Sequence, residues 1–149
     1  MEDDVLELTI LGLVPTSDGV AMFLRGEKKT FVIYIDPAMG NVISMAINKV
    51  KKERPLTHDL IKNILTGFGA SIDRVVINHA SNGTFFARLI LSMHNEVSTK
   101  VLEVDARPSD CIALAIQAER PIYGARAVVD SVEDVSEVWE RIAKDQQET

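Results

Sequence analysis

Val75-Val76-Ile77-Asn78-His79-Ala80-Ser81-Asn82-Gly83-Thr84-Phe85-Phe86-Ala87-Arg88-Leu89-Ile90-Leu91 reads as two strands folded back on each other. Asn82-Gly83 is the preferred centre of a two-residue type I′ turn, because both positions need positive φ and these residues tolerate it. The turn sets Ser81 opposite Thr84 and His79 opposite Phe86. Simple continuation then puts Ile77 opposite Arg88 and Val75 opposite Ile90. One face carries Val75, Ile77, His79, Phe86, Arg88 and Ile90, and the other carries Val76, Asn78, Phe85, Ala87, Leu89 and Leu91. Both faces are mainly apolar, so each needs a cover of helices or of another subunit.

Further hairpin signals lie on either side. Leu6, Leu8 and Ile10 alternate with Glu7 and Thr9 in a strand over residues 5–14. Asp18-Gly19 turns the chain into a return strand at 20–24, and residues 30–36 form a third, almost continuously apolar strand. Pro37 opens a helix with Val42, Ile43, Ala46, Ile47 and Val50 on one face. Thr57 is placed to cap a second helix, whose Leu60, Ile61, Ile64, Leu65 and Phe68 form a stripe ending at Gly69. A strand over 97–105 leads through Arg107 to a helix opened by Pro108. An amphipathic helix at about 132–144 carries Val132, Val135, Val138, Trp139 and Ile142, and residues 145–149 read as a frayed tail. Hairpins with inserted helices predict a single α+β domain over 1–149: a mainly antiparallel sheet with three or four packed helices.

Composition narrows the function. The chain has 149 residues, of which 46% are hydrophobic, enough for one substantial core. No apolar run is long enough to span a membrane, and the acidic start, Met1-Glu2-Asp3-Asp4, is unlike a signal peptide. Cys111 is the single cysteine, which excludes an intramolecular disulfide and a cysteine-based zinc site; a cytoplasmic location is the expectation. Net charge of −6 disfavours nonspecific phosphate attraction, and the basic run Lys49-Val50-Lys51-Lys52-Glu53-Arg54 reads first as a solvated helix end. Aromatic residues are 5% of the chain, and Tyr34 and Tyr123 read as packing groups.

Side chains able to carry chemistry gather at the junction Glu103-Val104-Asp105-Ala106-Arg107-Pro108-Ser109-Asp110. A helix N-terminus with carboxylates, a guanidinium and a hydroxyl beside it suits an anion or a hard metal ion. It equally suits a capped helix, with Asp110 in the first turn and Ser109 as a cap. His58, in Thr57-His58-Asp59, titrates near neutrality and is either a base, a phosphate contact or an ordinary first-turn residue. His79 and Arg88 share a hairpin face, His94 falls in a loop, and Cys111 is a small core residue.

The run Asp105 to Ala115 resembles the signature of the bifunctional nuclease (BFN) domain family: an aspartate, Arg-Pro-Ser-Asp, then a small-residue apolar helix. Arg54-Pro55-Leu56-Thr57-His58-Asp59-Leu60 is a second match. Weaker ones are Phe31 to Ile35, Thr84 to Leu91 and Pro121-Ile122-Tyr123, so the matched core runs over about 6–123. The resemblance implies phosphodiester hydrolysis in DNA or RNA. Asp105, Arg107, Asp110 and His58 would be catalytic, and Arg54, Ser109 and Asp59 would bind substrate. Asp105 and Asp110 would also be the ligands of any divalent metal, Mg²⁺ or Mn²⁺. One departure stands out: Met39 occupies the early-helix position where many members carry a glutamate, with Asp36 just before the helix. The alternative is a non-enzymatic homo-oligomeric binding or regulatory module in which Arg-Pro-Ser-Asp is only a helix cap. Nucleic acid and further copies of the chain are the expected partners, and a membrane is not.

Overall fold

A computed structural model describes residues 4–147, so the first three residues of the acidic start and the last two of the expected tail lie outside the described residues. The order along the chain is β1 (Val5–Pro15), β2 (Val20–Gly26), β3 (Lys29–Ile35), α1 (Pro37–Ile47), α2 (Thr57–Gly67), β4 (Ala70–Ser81), β5 (Thr84–His94), β6 (Thr99–Ala106), α3 (Pro108–Ala118), β7 (Ile122–Ala125), α4 (Arg126–Ser131) and α5 (Ser136–Gln147). The strands form one seven-stranded sheet in the order β3-β2-β1-β7-β4-β5-β6. Every pairing is antiparallel except β4 with β7. The architecture is the expected α+β, with two elements the sequence did not announce. β7 has only four residues and joins the two hairpin systems, and α4 has six, too few for a helical period to show.

The Asn82-Gly83 turn forms as expected, with both residues at positive φ. Ser81 faces Thr84 and His79 faces Phe86, but Asn78 is an extra residue in β4, a bulge that shifts everything beyond it. Ile77 therefore faces Ala87, Val76 faces Arg88 and Val75 faces Leu89, correcting the simple continuation. The shift sorts the side chains better than a regular ladder would. Val75, Ile77, Ala87, Leu89 and Leu91 all turn into one core, together with Leu6, Leu8, Met22, Leu24, Phe31 and the apolar face of α3. Arg88 moves to the opposite face with Val76, and there it pairs with Asp105.

Helices α1 and α3 pack against each other over the core, and Gly40 lets α1 come close to Val20 of β2. Helix α5 covers the other face of the first hairpin, where Trp139 meets Phe23 at 5.1 Å between ring centroids. The segment before α5 also ties down the start of β3's outer edge. The Val135 N–H donates to the Thr30 carbonyl, and the Thr30 N–H donates to Asp134 Oδ1. Among the described residues no helix is long and apolar enough to cross a membrane.

Candidate functional site

Three helices start at one place. Asp36 is the N-cap of α1, and its Oδ1 accepts the Met39 N–H at 2.8 Å. Pro37 follows at the first helical position, where its fixed φ and missing N–H cost nothing. Arg107 is the N-cap of α3, again followed by a proline, and Asp110 lies in that helix's first turn. His58 is the second residue of α2, whose N-cap is Leu56; Thr57, expected there, is already helical. The first-turn Asp59 satisfies the Leu56 N–H through Oδ2 at 2.8 Å.

Arg107 and Asp110 knit these ends together. The Arg107 guanidinium donates to Asp110 through Nε (2.9 Å to Oδ2) and Nη2 (3.3 Å to Oδ1). Its Nη1 approaches Asp36 Oδ2 at 3.9 Å. Asp110 Oδ1 is also 2.8 Å from His58 Nε2, a contact across 52 residues of sequence. Burial pushes the Asp110 carboxyl upward, but the hydrogen bonds from Arg107 and His58 outweigh it and hold the group below the ordinary carboxylate range. The same pairing raises the Arg107 pKa further.

The motif does not cap α3 through a side-chain hydrogen bond, although Asp110 sits in the first turn and pairs with Arg107. Asp110 spends its oxygens on side chains, and no side chain at the start of α3 caps a backbone N–H. Ser109 is buried and does not cap either. Cys111, one residue on, is buried with its thiol pushed up to about 12 by burial and by the charges of Asp110 and Asp105, so it is an inert core group.

The remaining residues divide. Asp105 does not share a partner with Asp110: it is 75% exposed and pairs with Arg88 Nη1 at 2.8 Å on the sheet face opposite the core. Asp59 is engaged by Lys52 at 2.9 Å, and despite the upward push of burial the Leu56 N–H and Lys52 hold its pKa down. Arg54 is exposed in the loop before α2, and no ion pair among the described residues includes it. His79 lies against Phe86, and His94 bonds Thr99 at the far end of β5 rather than in a loop.

Two residues that the sequence placed outside the site belong to its surroundings. A hollow of about 330 Å³ opens between the end of β3, the tip of the β4–β5 hairpin and the start of α3; Tyr34, Asp36, Thr84, Arg107 and Ser109 line it. Tyr34 is 76% exposed, not the packing group expected. Alternation along β3 carries the signal, since Phe31 and Ile33 are buried and Tyr34 falls on the other face. Asp36 lines the hollow, whereas Met39 is a buried core residue. His58 and Asp110 stand behind Arg107 and do not line the hollow.

A divalent metal does not fit these residues. Among the described residues no three or more His, Cys, Asp or Glu side chains are grouped to hold one. Arg107 lies between Asp36 and Asp110, so a cation already occupies the place a metal would take.

An uncharacterized protein of Mycobacterium tuberculosis is 36% identical over 97 residues, covering 65% of this chain and 55% of the relative. Bifunctional nuclease 2 of Oryza sativa subsp. japonica is 30% identical over 114 residues, covering 74% of this chain and 35% of the relative. The chain thus spans about half the length of the mycobacterial protein and about a third of the plant one. A model of the bifunctional nuclease domain matches residues 22–137, which takes in β3, all three converging helix starts and the Arg107–Asp110–His58 cluster; the chain belongs to the bifunctional nuclease domain family.

Proposed function

We propose that this chain is a nuclease that hydrolyses phosphodiester bonds in DNA or RNA. The carrying observation is the guanidinium of Arg107, held on Asp110 where three helix N-termini converge and open to a hollow that Asp36 and Ser109 also line. Positive helix ends and a fixed arginine suit a phosphate, and they suit the extra negative charge of its transition state better still. In this reading Arg107 binds the phosphate. Asp36 accepts the proton of the attacking water as the new P–O bond forms; the P–O bond to the ester oxygen breaks, and that oxygen leaves as a hydroxyl with a proton taken from solvent. Asp110 and His58 are positioning residues: they fix the guanidinium from behind, as an orienting shell does. Arg54, in the loop before α2, and Asp59, in its first turn, are the proposed further substrate contacts.

Cleavage of labelled single-stranded RNA and DNA tests this, with Arg107→Ala, Asp36→Asn and Asp105→Asn purified in parallel. Losing a fixed cation that stabilises the transition state costs on the order of 10²-fold or more, so Arg107→Ala is expected to be silent. Asp36→Asn is expected to fall comparably, and Asp105→Asn to keep most of its activity because it pairs elsewhere. Activity is expected to persist in EDTA, since the donor set suits no metal. Equal activity in wild type and Arg107→Ala would reject the reading.

A second feature supports the regulatory-module alternative in part. Leu56, Leu60, Ile64 and Phe68 are exposed at intervals of four along α2, and the edge strand β6 exposes Val101, Leu102 and Val104. Such surface is normally covered, and the chain is proposed to self-associate through it, in the cytoplasm.

A further inference from the structure

We infer that the site takes one unpaired nucleotide at a time, with its base against Tyr34 and its phosphate on Arg107, so that single-stranded nucleic acid is the substrate class and duplex is not. The inference rests on the nuclease reading for the chemistry of the occupant, and on separate observations for its strandedness.

The first observation is the ring itself. Tyr34 is 76% exposed at the end of β3, beside the Arg107 hollow, in a chain with only 5% aromatic residues. Burying a tyrosine is favourable, yet among the described residues no side-chain hydrogen bond or ring contact engages this one. An exposed ring next to a phosphate-binding cation is what a stacking contact requires, because every base presents a π face.

The second observation is the shape of the ground around it. Tyr34 borders two hollows. One is the Arg107 hollow, and the other, of about 410 Å³, is lined by Val32, Ser81, Asn82, Phe85, Glu133 and Val135 among others. Both lie between the outer edge of β3 and the tip of the β4–β5 hairpin, and both include Gly83 and Phe85. Each is near the small end of ligand-pocket volumes, roughly 300–1,000 Å³. That size suits one nucleotide, and the Tyr34 ring can stack only on a base that is not already stacked within a duplex.

The third observation concerns charge. Acidic Asp36 and Glu133 lie in the two hollows with Arg107. A continuous basic track for a duplex backbone is missing from these linings, so binding falls on a single phosphate contact and on stacking.

Fluorescence anisotropy with a short labelled single strand, and with the same strand annealed to its complement, tests this on wild type, Tyr34→Ala and Tyr34→Phe; cleavage is followed on the same samples. Wild type is expected to bind the single strand at least about tenfold more tightly than the duplex. Tyr34→Ala is expected to weaken single-strand binding by about fivefold or more, with unchanged melting because the ring is exposed, and Tyr34→Phe to behave as wild type. Equal binding of both forms, or a Tyr34→Ala protein that binds like wild type, overturns the inference. If Arg107→Ala abolishes cleavage while Tyr34→Ala changes nothing, the nuclease reading stands and this one falls. Tyr34-dependent binding without cleavage has the opposite meaning: the occupant is right and hydrolysis is wrong. No binding of either form overturns both.

Discussion

Asp110 is held from two sides, by His58 Nε2 at 2.8 Å and by Arg107 Nε at 2.9 Å. Its place in the first turn of a helix suggested a cap, yet its oxygens hold His58 and Arg107 instead. That choice makes a prediction about pH. The folded-state pKa lies below the unfolded value of about 3.9, so the contribution of Asp110 is fully present above about pH 4 and is lost as pH falls through the lower, folded value. Asp110→Asn is expected to be destabilised by about 1–2 kcal/mol near neutrality, and the gap from wild type to shrink as the solution is acidified below about pH 4. Thermal melts of both proteins over this range check it; a gap that widens in acid would mean the carboxylate is not held ionised by its partners. The neighbours of Asp110 along the chain were readable, because Arg107 is three residues away and the helix start is marked by Pro108. His58 was not, since its contact spans 52 residues and only the family resemblance brought the two motifs together. Tyr34 was misread for a different reason: a strand that looks apolar throughout hides which face the alternation leaves outside.

Strands and helices long enough to show a period were readable as elements, but their bounds drifted: the last helix, expected over about 132–144, runs over Ser136–Gln147, and α1 ends at Ile47 rather than at Val50. The β4–β5 hairpin illustrates both halves of that. Its turn was fixed by Asn82-Gly83, but the bulge at Asn78 has no composition signal, and one extra residue reverses the facing of the pairs from Ile77 to Arg74, where a second shift follows. Core demand decides it, because only the bulged register sends Val75 and Ile77 to the same side as Ala87 and Leu89. Two glycines near this hairpin are predicted to respond oppositely to a methyl group. Gly83 has φ of +78° with nothing within 4 Å of an added Cβ, so Gly83→Ala is penalised by backbone conformation alone, by about 1–2 kcal/mol. Gly67, the last residue of α2, also has open space but no positive φ, and Gly67→Ala is expected to be neutral or to stabilise by up to about 1 kcal/mol. Denaturant midpoints of the two variants decide the matter. A harmless Gly83→Ala would mean that the turn is not held in the type I′ form.

Seen entire, the molecule separates the places where its chemistry and its unspent apolar surface lie, although α2 contributes to both. The inward side of that helix carries buried His58 with half-buried Ile61 and Leu65, which tie it to the Asp110 cluster and the core. Its outward side carries Leu60 and Ile64, extended at the two ends by exposed Leu56 and Phe68. A surface helix with polar residues outward would need no such row, and large exposed apolar rows usually mark an interface. Self-association through this face would leave the hollow at Tyr34 and Arg107 open, because neither residue belongs to α2. It would also hold α2 firmly, and through His58 the Asp110–Arg107 pair. The expected outcome is a wild-type protein larger than a monomer by light scattering at micromolar concentration. Leu60→Glu combined with Ile64→Glu is expected to give a monomer with the same circular dichroism, since neither side chain contributes to the core cluster. If the chain cleaves nucleic acid, that monomer should lose activity partially rather than completely, because the contacts around Arg107 remain within one chain. A wild type that is already monomeric would remove the interface and leave the row on α2 without a role in assembly.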